Sequence, residues 1–173
     1  MIIRFLLSIY LVSVCNQMQS QNNIFDIARN GCKEDLQEIL YNHPEVINYK
    51  NTSGFTPLIL ACYNGNIEVA SLLAKKVDDI NSNSSYGTAL MAAVFKNDFE
   101  ITKMLLDLGA NTNLSDTKGN TALHFATLLN NKEITKLLID YGADANFKDN
   151  KGFSPMDYAM QTKNRDISNL LKN

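Results

Sequence analysis

The sequence predicts an all-α chain: a solenoid of stacked helix-turn-helix units with short β-turn or hairpin tips. Three observations carry that expectation. A Thr- or Ser-led triplet recurs at a nearly constant step, with Thr56-Pro57-Leu58, Thr88-Ala89-Leu90, Thr121-Ala122-Leu123 and Ser154-Pro155-Met156 standing 32, 33 and 33 residues apart. A fixed period near 33 means that one supersecondary unit is copied and stacked, because a single unit cannot close a core alone. The same register carries Ala61, Ala93, Ala126 and Ala159, then Glu68, Glu100, Glu133 and Asp166, then Leu72-Leu73, Met104-Leu105, Leu137-Leu138 and Leu170-Leu171. Finally, 173 residues with 45% hydrophobic and 20% charged side chains are enough to bury a core.

In chain order, residues 1–20 read as a cleaved export signal. Arg4 precedes an apolar run, Phe5 to Cys15, and no further charge occurs before Asp26. As a helix rising about 1.5 Å per residue, that run reaches only about half of a ~30 Å hydrocarbon layer, which disfavours a stable membrane span. Cleavage is expected after Ser20, with a small-x-small pattern ending at Cys15 as the alternative. Cys15 also raises a lipoprotein reading, which Val14 weakens, since a small residue is wanted there. A buried N-terminal helix is the non-targeting alternative.

Residues 22–173 are then one repeat domain, divided as 22–49, 50–82, 83–115, 116–148 and 149–173. The first repeat, from Ile24, lacks the Thr-Pro start, as an N-terminal cap does. In the next three, Thr opens the first helix and can bond its free amides, and proline behind it (Pro57, and Pro155 in the last repeat) sits where a missing amide costs nothing. Alanine lets neighbouring first helices approach, and each leucine of the second-helix pairs buries about 2 kcal/mol of apolar surface. Gly109 and Gly142 are placed to end second helices in a left-handed conformation. Asn81, Asn113 and Asn146 recur at one turn position and are expected to bond local backbone, which accounts for part of the 22 asparagines in 173 residues. The junction of the second and third repeats should be the least regular, since residues 75–81 lack the helix-ending glycine and residues 84–88 are one residue short. The last repeat surrounds Ile167, Leu170 and Leu171 with polar side chains, as a C-terminal cap needs for solubility.

With the glycine ahead of each Thr or Ser and the Thr-Ala-Leu-His-Phe-Ala stretch at residues 121–126, the chain resembles the ankyrin repeat family from about residue 22 to residue 173. That resemblance implies a protein-binding module. In such domains the turn tips and the exposed side of the first helix form a concave groove, and register picks out its side chains here. After the core alanines these are Tyr63 and Asn64, Phe95 and Lys96, Leu128 and Leu129, with Tyr63, Phe95 and the two leucines expected in an apolar row. At the tips they are Phe55, Tyr86, Lys118 and Phe153. An exposed row of large apolar side chains marks an interface, and packing of some of them into the core is the alternative.

Other chemistry finds little support. Sixteen Lys and Arg against eighteen Asp and Glu, net charge −2, leave no basic footprint for nucleic acid. Three cysteines without a CxxC and two histidines are too few for a structural zinc site. Asp144, Asn146 and Asp149 fall short of a calcium loop because Lys148 stands at a ligand position. His124 occupies the family motif's turn-stabilising slot, and His43 lies in a turn without an acid or nucleophile beside it. Asp78-Asp79 reads as a solvated turn. Cys32 and Cys62 are expected as thiols, with a bridge between them left open. The sequons at Asn51, Asn83 and Asn113 matter only in a host that glycosylates. No catalytic residue, cofactor or metal is expected.

The expected function is therefore non-catalytic binding of a partner protein by an exported, monomeric module, periplasmic or secreted. A bacterial envelope is the expected setting, on residues 1–20 alone. The alternatives are a regulatory or accessory subunit of an envelope enzyme, and an immunity or antitoxin-type inhibitor.

Overall fold

A computed structural model describes residues 23–172. The expected export signal, its cleavage site at Ser20 and Cys15 lie outside the described residues. Within them the chain forms helix α1 (residues 23–30) and α2 (Lys33–Asn42), a 3-10 turn (Pro44–Asn48), and then four helix pairs. The pairs are α3 (Pro57–Asn64) with α4 (Ile67–Ala74), α5 (Ala89–Phe95) with α6 (Phe99–Asp107), α7 (Ala122–Leu128) with α8 (Lys132–Asp140), and α9 (Pro155–Gln161) with α10 (Arg165–Leu170). First helices stack on first helices, α3 on α5 on α7 on α9, and second on second, α4 on α6 on α8 on α10. No β-strand occurs among the described residues; the tips are turns, and the one between Ser84 and Gly87 closes as an isolated bridge.

Three of the first helices open on a hydroxyl that accepts a free amide. Thr56 accepts the Ile59 N–H at 3.2 Å, Thr88 that of Met91 at 3.4 Å, and Ser154 that of Asp157 at 3.1 Å. The second helices start on Asn66, Asp98, Asn131 and Asn164, each accepting the N–H three residues on. Gly109 and Gly142 follow α6 and α8 with φ of 87° and 82°, the left-handed exits expected of them.

The core is one layer per repeat. Ala61, Ala93, Ala126 and Ala159 are fully buried, so the first helices pack closely. Val69, Ile101, Ile134 and Ile167, with Leu73, Leu105, Leu138 and Leu171, fill the space behind them, each contributing roughly 1.5–3 kcal/mol. Ile24, Ala28 and Leu36 close the N-terminal end. Cys62 is buried in α3 and Cys32 is exposed ahead of α2, and both are free thiols. Burial, with help from the charge of Asp98, pushes the Cys62 thiol pKa well up, so it behaves as an apolar side chain.

Asn81 and Asn113 do not bond local backbone as expected. Asn48 accepts the Asp78 N–H at 3.2 Å, Asn81 that of Asn111 at 2.8 Å and Asn113 that of Asp144 at 2.8 Å, so each carboxamide ties its repeat to the next. The local turn is held instead by Asp79, Asn111 and Asp144, whose side chains accept the N–H two residues on, from Asn81, Asn113 and Asn146 at 2.8–2.9 Å. Sequence spacing identifies a shared position but not the partner, which lies about 30 residues away.

The tips show why the junction at residues 84–88 differs. In the other three, Asn51, Asp116 and Asp149 accept side-chain bonds from residues two and four further on. The shortened tip has Ser84, whose hydroxyl accepts the Tyr86 N–H at 3.2 Å and donates to the Gly87 carbonyl at 2.9 Å. Gly119 (φ 82°) is required sterically as well as by its backbone conformation, since a Cβ there would stand 2.7 Å from the Asn150 nitrogen.

Candidate partner-binding groove

Stacking two repeats places the second and third tips opposite the first helices that follow them, and a groove of about 880 Å³ opens between. Its tip wall is Phe55 stacked on Tyr86, ring centroids 5.4 Å apart. Its helix wall is Tyr63 stacked on Phe95 at 6.3 Å, with Phe95 meeting Phe125 edge to face at 6.0 Å. Ile59 and Met91, both buried, lie between the walls as a floor. Lys96 holds its ammonium 5.0 Å above the Tyr63 ring, in a cation-π contact. Tyr86, Phe95 and Tyr63 nonetheless remain 70%, 49% and 46% exposed.

Of the side chains picked out by register, Phe55, Tyr63, Asn64, Tyr86, Phe95 and Lys118 line this one groove, and Lys96 flanks it. Leu128 and Leu129 are exposed at the end of α7, where Leu128 lines a separate hollow with Thr162 and Asp166. Phe153 packs on Tyr158 at 5.6 Å in the last repeat. Arg29 and Phe125 line the groove and were not picked out. Phe125 stands three residues before Leu128, as Leu60 and Ala92 stand before Tyr63 and Phe95; residues three apart on a helix share a face, and that spacing was the available signal.

His124 and Asp149, both buried, serve the scaffold. His124, fully buried, accepts the Thr121 N–H at Nδ1 (3.0 Å), and Nε2 donates to the Phe153 carbonyl (3.2 Å), joining the fourth repeat to the tip of the fifth. Burial lowers its pKa below the ordinary 6.5, against the opposing pull of the Phe153 carbonyl and the Asp149 and Asp116 charges. Burial works to raise the pKa of Asp149, but the Tyr158 hydroxyl at 2.6 Å and the Phe153 and Lys151 amides outweigh it and hold the carboxyl below the usual range. Among the described residues no group of three His, Cys, Asp or Glu side chains is placed to hold a metal ion, and no helix is long and apolar enough to cross a membrane.

The family model for ankyrin repeats, in three copies, matches residues 24–116 and 90–173. The chain belongs to the ankyrin repeat family. Ankyrin repeats are generally protein-protein interaction modules and generally non-catalytic. The chain is 36% identical over 99 residues to ankyrin repeat and SAM domain-containing protein 6 of Rattus norvegicus, covering 56% of this chain and 11% of that protein. It is 33% identical over 88 residues to the probable 26S proteasome regulatory subunit p28 of Saccharomyces cerevisiae, covering 47% and 39%. To the human ankyrin repeat and KH domain-containing protein 1 it is 30% identical over 91 residues, covering 51% and 4%. The matched stretches thus span well under two thirds of these curated relatives, and what is shared is the ankyrin repeat.

Proposed function

We propose that this ankyrin repeat chain is an exported, non-catalytic module, periplasmic or secreted, that acts as a monomer and holds a partner protein in the groove between its second and third tips and first helices. The observation that carries the reading is the aromatic wall of Tyr63 and Phe95, stacked on each other and still about half exposed. Large apolar side chains left in water at one contiguous place are the usual mark of an interface, and aromatic anchors supply most of its energy. Because the stacked repeats hold the groove before the partner arrives, association costs little ordering entropy. Export rests on the charge and apolar pattern of residues 1–20.

The test compares complexes purified with the tagged full-length chain and with Phe95→Asp, after far-UV circular dichroism has shown equal helicity. A protein that copurifies stoichiometrically with the parent and is lost from the folded variant supports the groove. A partner retained by the variant overturns it. N-terminal sequencing of the same material reads export: a mature end near Gln21 supports it, and an intact Met1 contradicts it.

A second reading, a regulatory or accessory subunit, is favoured by the yeast relative, whose name describes a probable regulatory subunit. It differs in requiring that the copurifying protein be an enzyme whose turnover changes when the chain is added back.

A further inference from the structure

Charge is distributed unevenly around the groove. The whole chain is net −2, yet Arg29 and Lys118 line the groove against a single carboxylate, Asp116. That carboxylate is already engaged, its Oδ1 accepting the Lys118 and Asn120 N–H at 2.8 Å each and its Oδ2 the Asn120 carboxamide at 3.1 Å. Lys96, over Tyr63, brings a third cation to the rim. Among the described residues Arg29 pairs only with Asp26, at 2.9 Å on an exposed face, and an exposed pair of this kind holds its partners weakly.

The cations also have an order. Arg29 belongs to α1 in the first repeat and Lys118 to the tip of the fourth, whereas Phe55, Tyr63, Tyr86 and Phe95 belong to the second and third. Arg29 and Lys118 therefore bracket an aromatic centre along the stack, with Lys96 beside Tyr63 within it. Helix layers packed about 8–10 Å apart put roughly 24–30 Å between the first and fourth repeats, a span that about eight residues of extended chain at ~3.3 Å each cover.

Resting on the groove reading above, we propose that the groove recognises an acidic-flanked apolar segment of its partner: an extended stretch of about eight residues with aromatic or leucine side chains at its centre and Asp or Glu at both ends. The central side chains enter between the Phe55-Tyr86 and Tyr63-Phe95 walls. The terminal carboxylates meet Arg29 at one end and Lys118 at the other. Three cations are too few for the phosphate footprint of a nucleic-acid site, which favours a peptide over a single strand, although bases also stack on aromatic rings.

The probe is a fluorescein-labelled peptide, Glu-Glu-Leu-Ser-Phe-Ser-Leu-Glu-Glu, titrated with the full chain at 50 and 300 mM salt. Beside it stand a peptide with all four glutamates replaced by glutamine, one with lysine in their place, and an eight-nucleotide thymidine strand. The expected result is binding of the glutamate peptide about tenfold tighter than the glutamine peptide at low salt, a gap that narrows at high salt as the charges are screened. Lys118→Glu narrows that gap by weakening the glutamate peptide more than the glutamine peptide, and Phe95→Asp abolishes binding of both. Equal binding of glutamate and glutamine peptides, both lost in folded Phe95→Asp, overturns the acidic preference and leaves the groove intact. Binding that survives Phe95→Asp overturns the groove itself. Tighter capture of the lysine peptide or the thymidine strand, or no measurable binding of any peptide at 1 mM protein, overturns the proposal.

Discussion

His124 illustrates how one residue is used for stacking. It stands third in α7, where the equivalent residue of the last repeat is Asp157, and both return a bond to the amide that opens their helix, Thr121 and Ser154 at 3.0 and 2.9 Å. The imidazole does more than the carboxylate, because its second nitrogen reaches the Phe153 carbonyl of the following tip. That arrangement needs the neutral ring, since a proton on Nδ1 would face the Thr121 N–H. Burial first of all lowers the native pKa below 6.5, so between that lowered value and 6.5 the unfolded chain binds a proton that the folded chain refuses. The stability due to His124 is thus fully present above pH 7 and declines as pH falls through 6.5 toward the native value. Urea midpoints of the parent and His124→Asn, measured from pH 8 to pH 5, should show a constant difference above pH 7 that shrinks below 6.5. A difference independent of pH would contradict this protonation state. The turn-stabilising slot of His124 was legible from the motif, but its reach to Phe153 was not, because the acceptor is a backbone atom 29 residues further on.

At the scale of the helix, asparagine does two jobs that other residues do singly. Asn131 caps α8 by accepting the Ile134 N–H at 2.8 Å, and its amide donates back to Asn97 of the preceding repeat. Asn164 repeats this toward Asn130, and Asn66 toward the Gly31 carbonyl at 2.9 Å. A carboxamide carries an acceptor and a donor on separate atoms of one short stem; Asp98, at the equivalent place, keeps the cap without the amide donor. Removing both bonds with Asn131→Ala should cost about 2 kcal/mol, one part cap and one part inter-repeat bond. Asn131→Asp retains the cap and should cost about 1 kcal/mol. Equal losses for the two variants in chemical denaturation would show that the link to Asn97 contributes nothing. Helix starts were readable here because Thr, Ser and Pro act on their own helix. The ladder asparagines at 81 and 113 read as local-turn residues because periodicity reports equivalent positions and is silent on which neighbour each one meets.

For the whole molecule, stacking converts residues of unrelated sequence position into two walls. Phe55 with Tyr86 and Tyr63 with Phe95 are 31 and 32 positions apart in sequence, one repeat each. The all-α solenoid was legible throughout, since its period, its alanines and its leucine pairs are local facts repeated four times. The groove was legible in repeats two and three, where the tip and helix aromatics coincide in register. It was less so in the fourth, where Phe125, one residue before the core alanine, takes the groove side and Leu128 lies against a different hollow. The central claim is that a partner protein occupies this groove, and photo-crosslinking tests it most directly. A photoreactive phenylalanine analogue is placed at Phe95 and, separately, at Tyr41, which is 88% exposed on α2 and outside the groove. The protein that copurifies with the chain should crosslink from position 95 and not from position 41. Crosslinking from position 41 with none from position 95 would contradict the account.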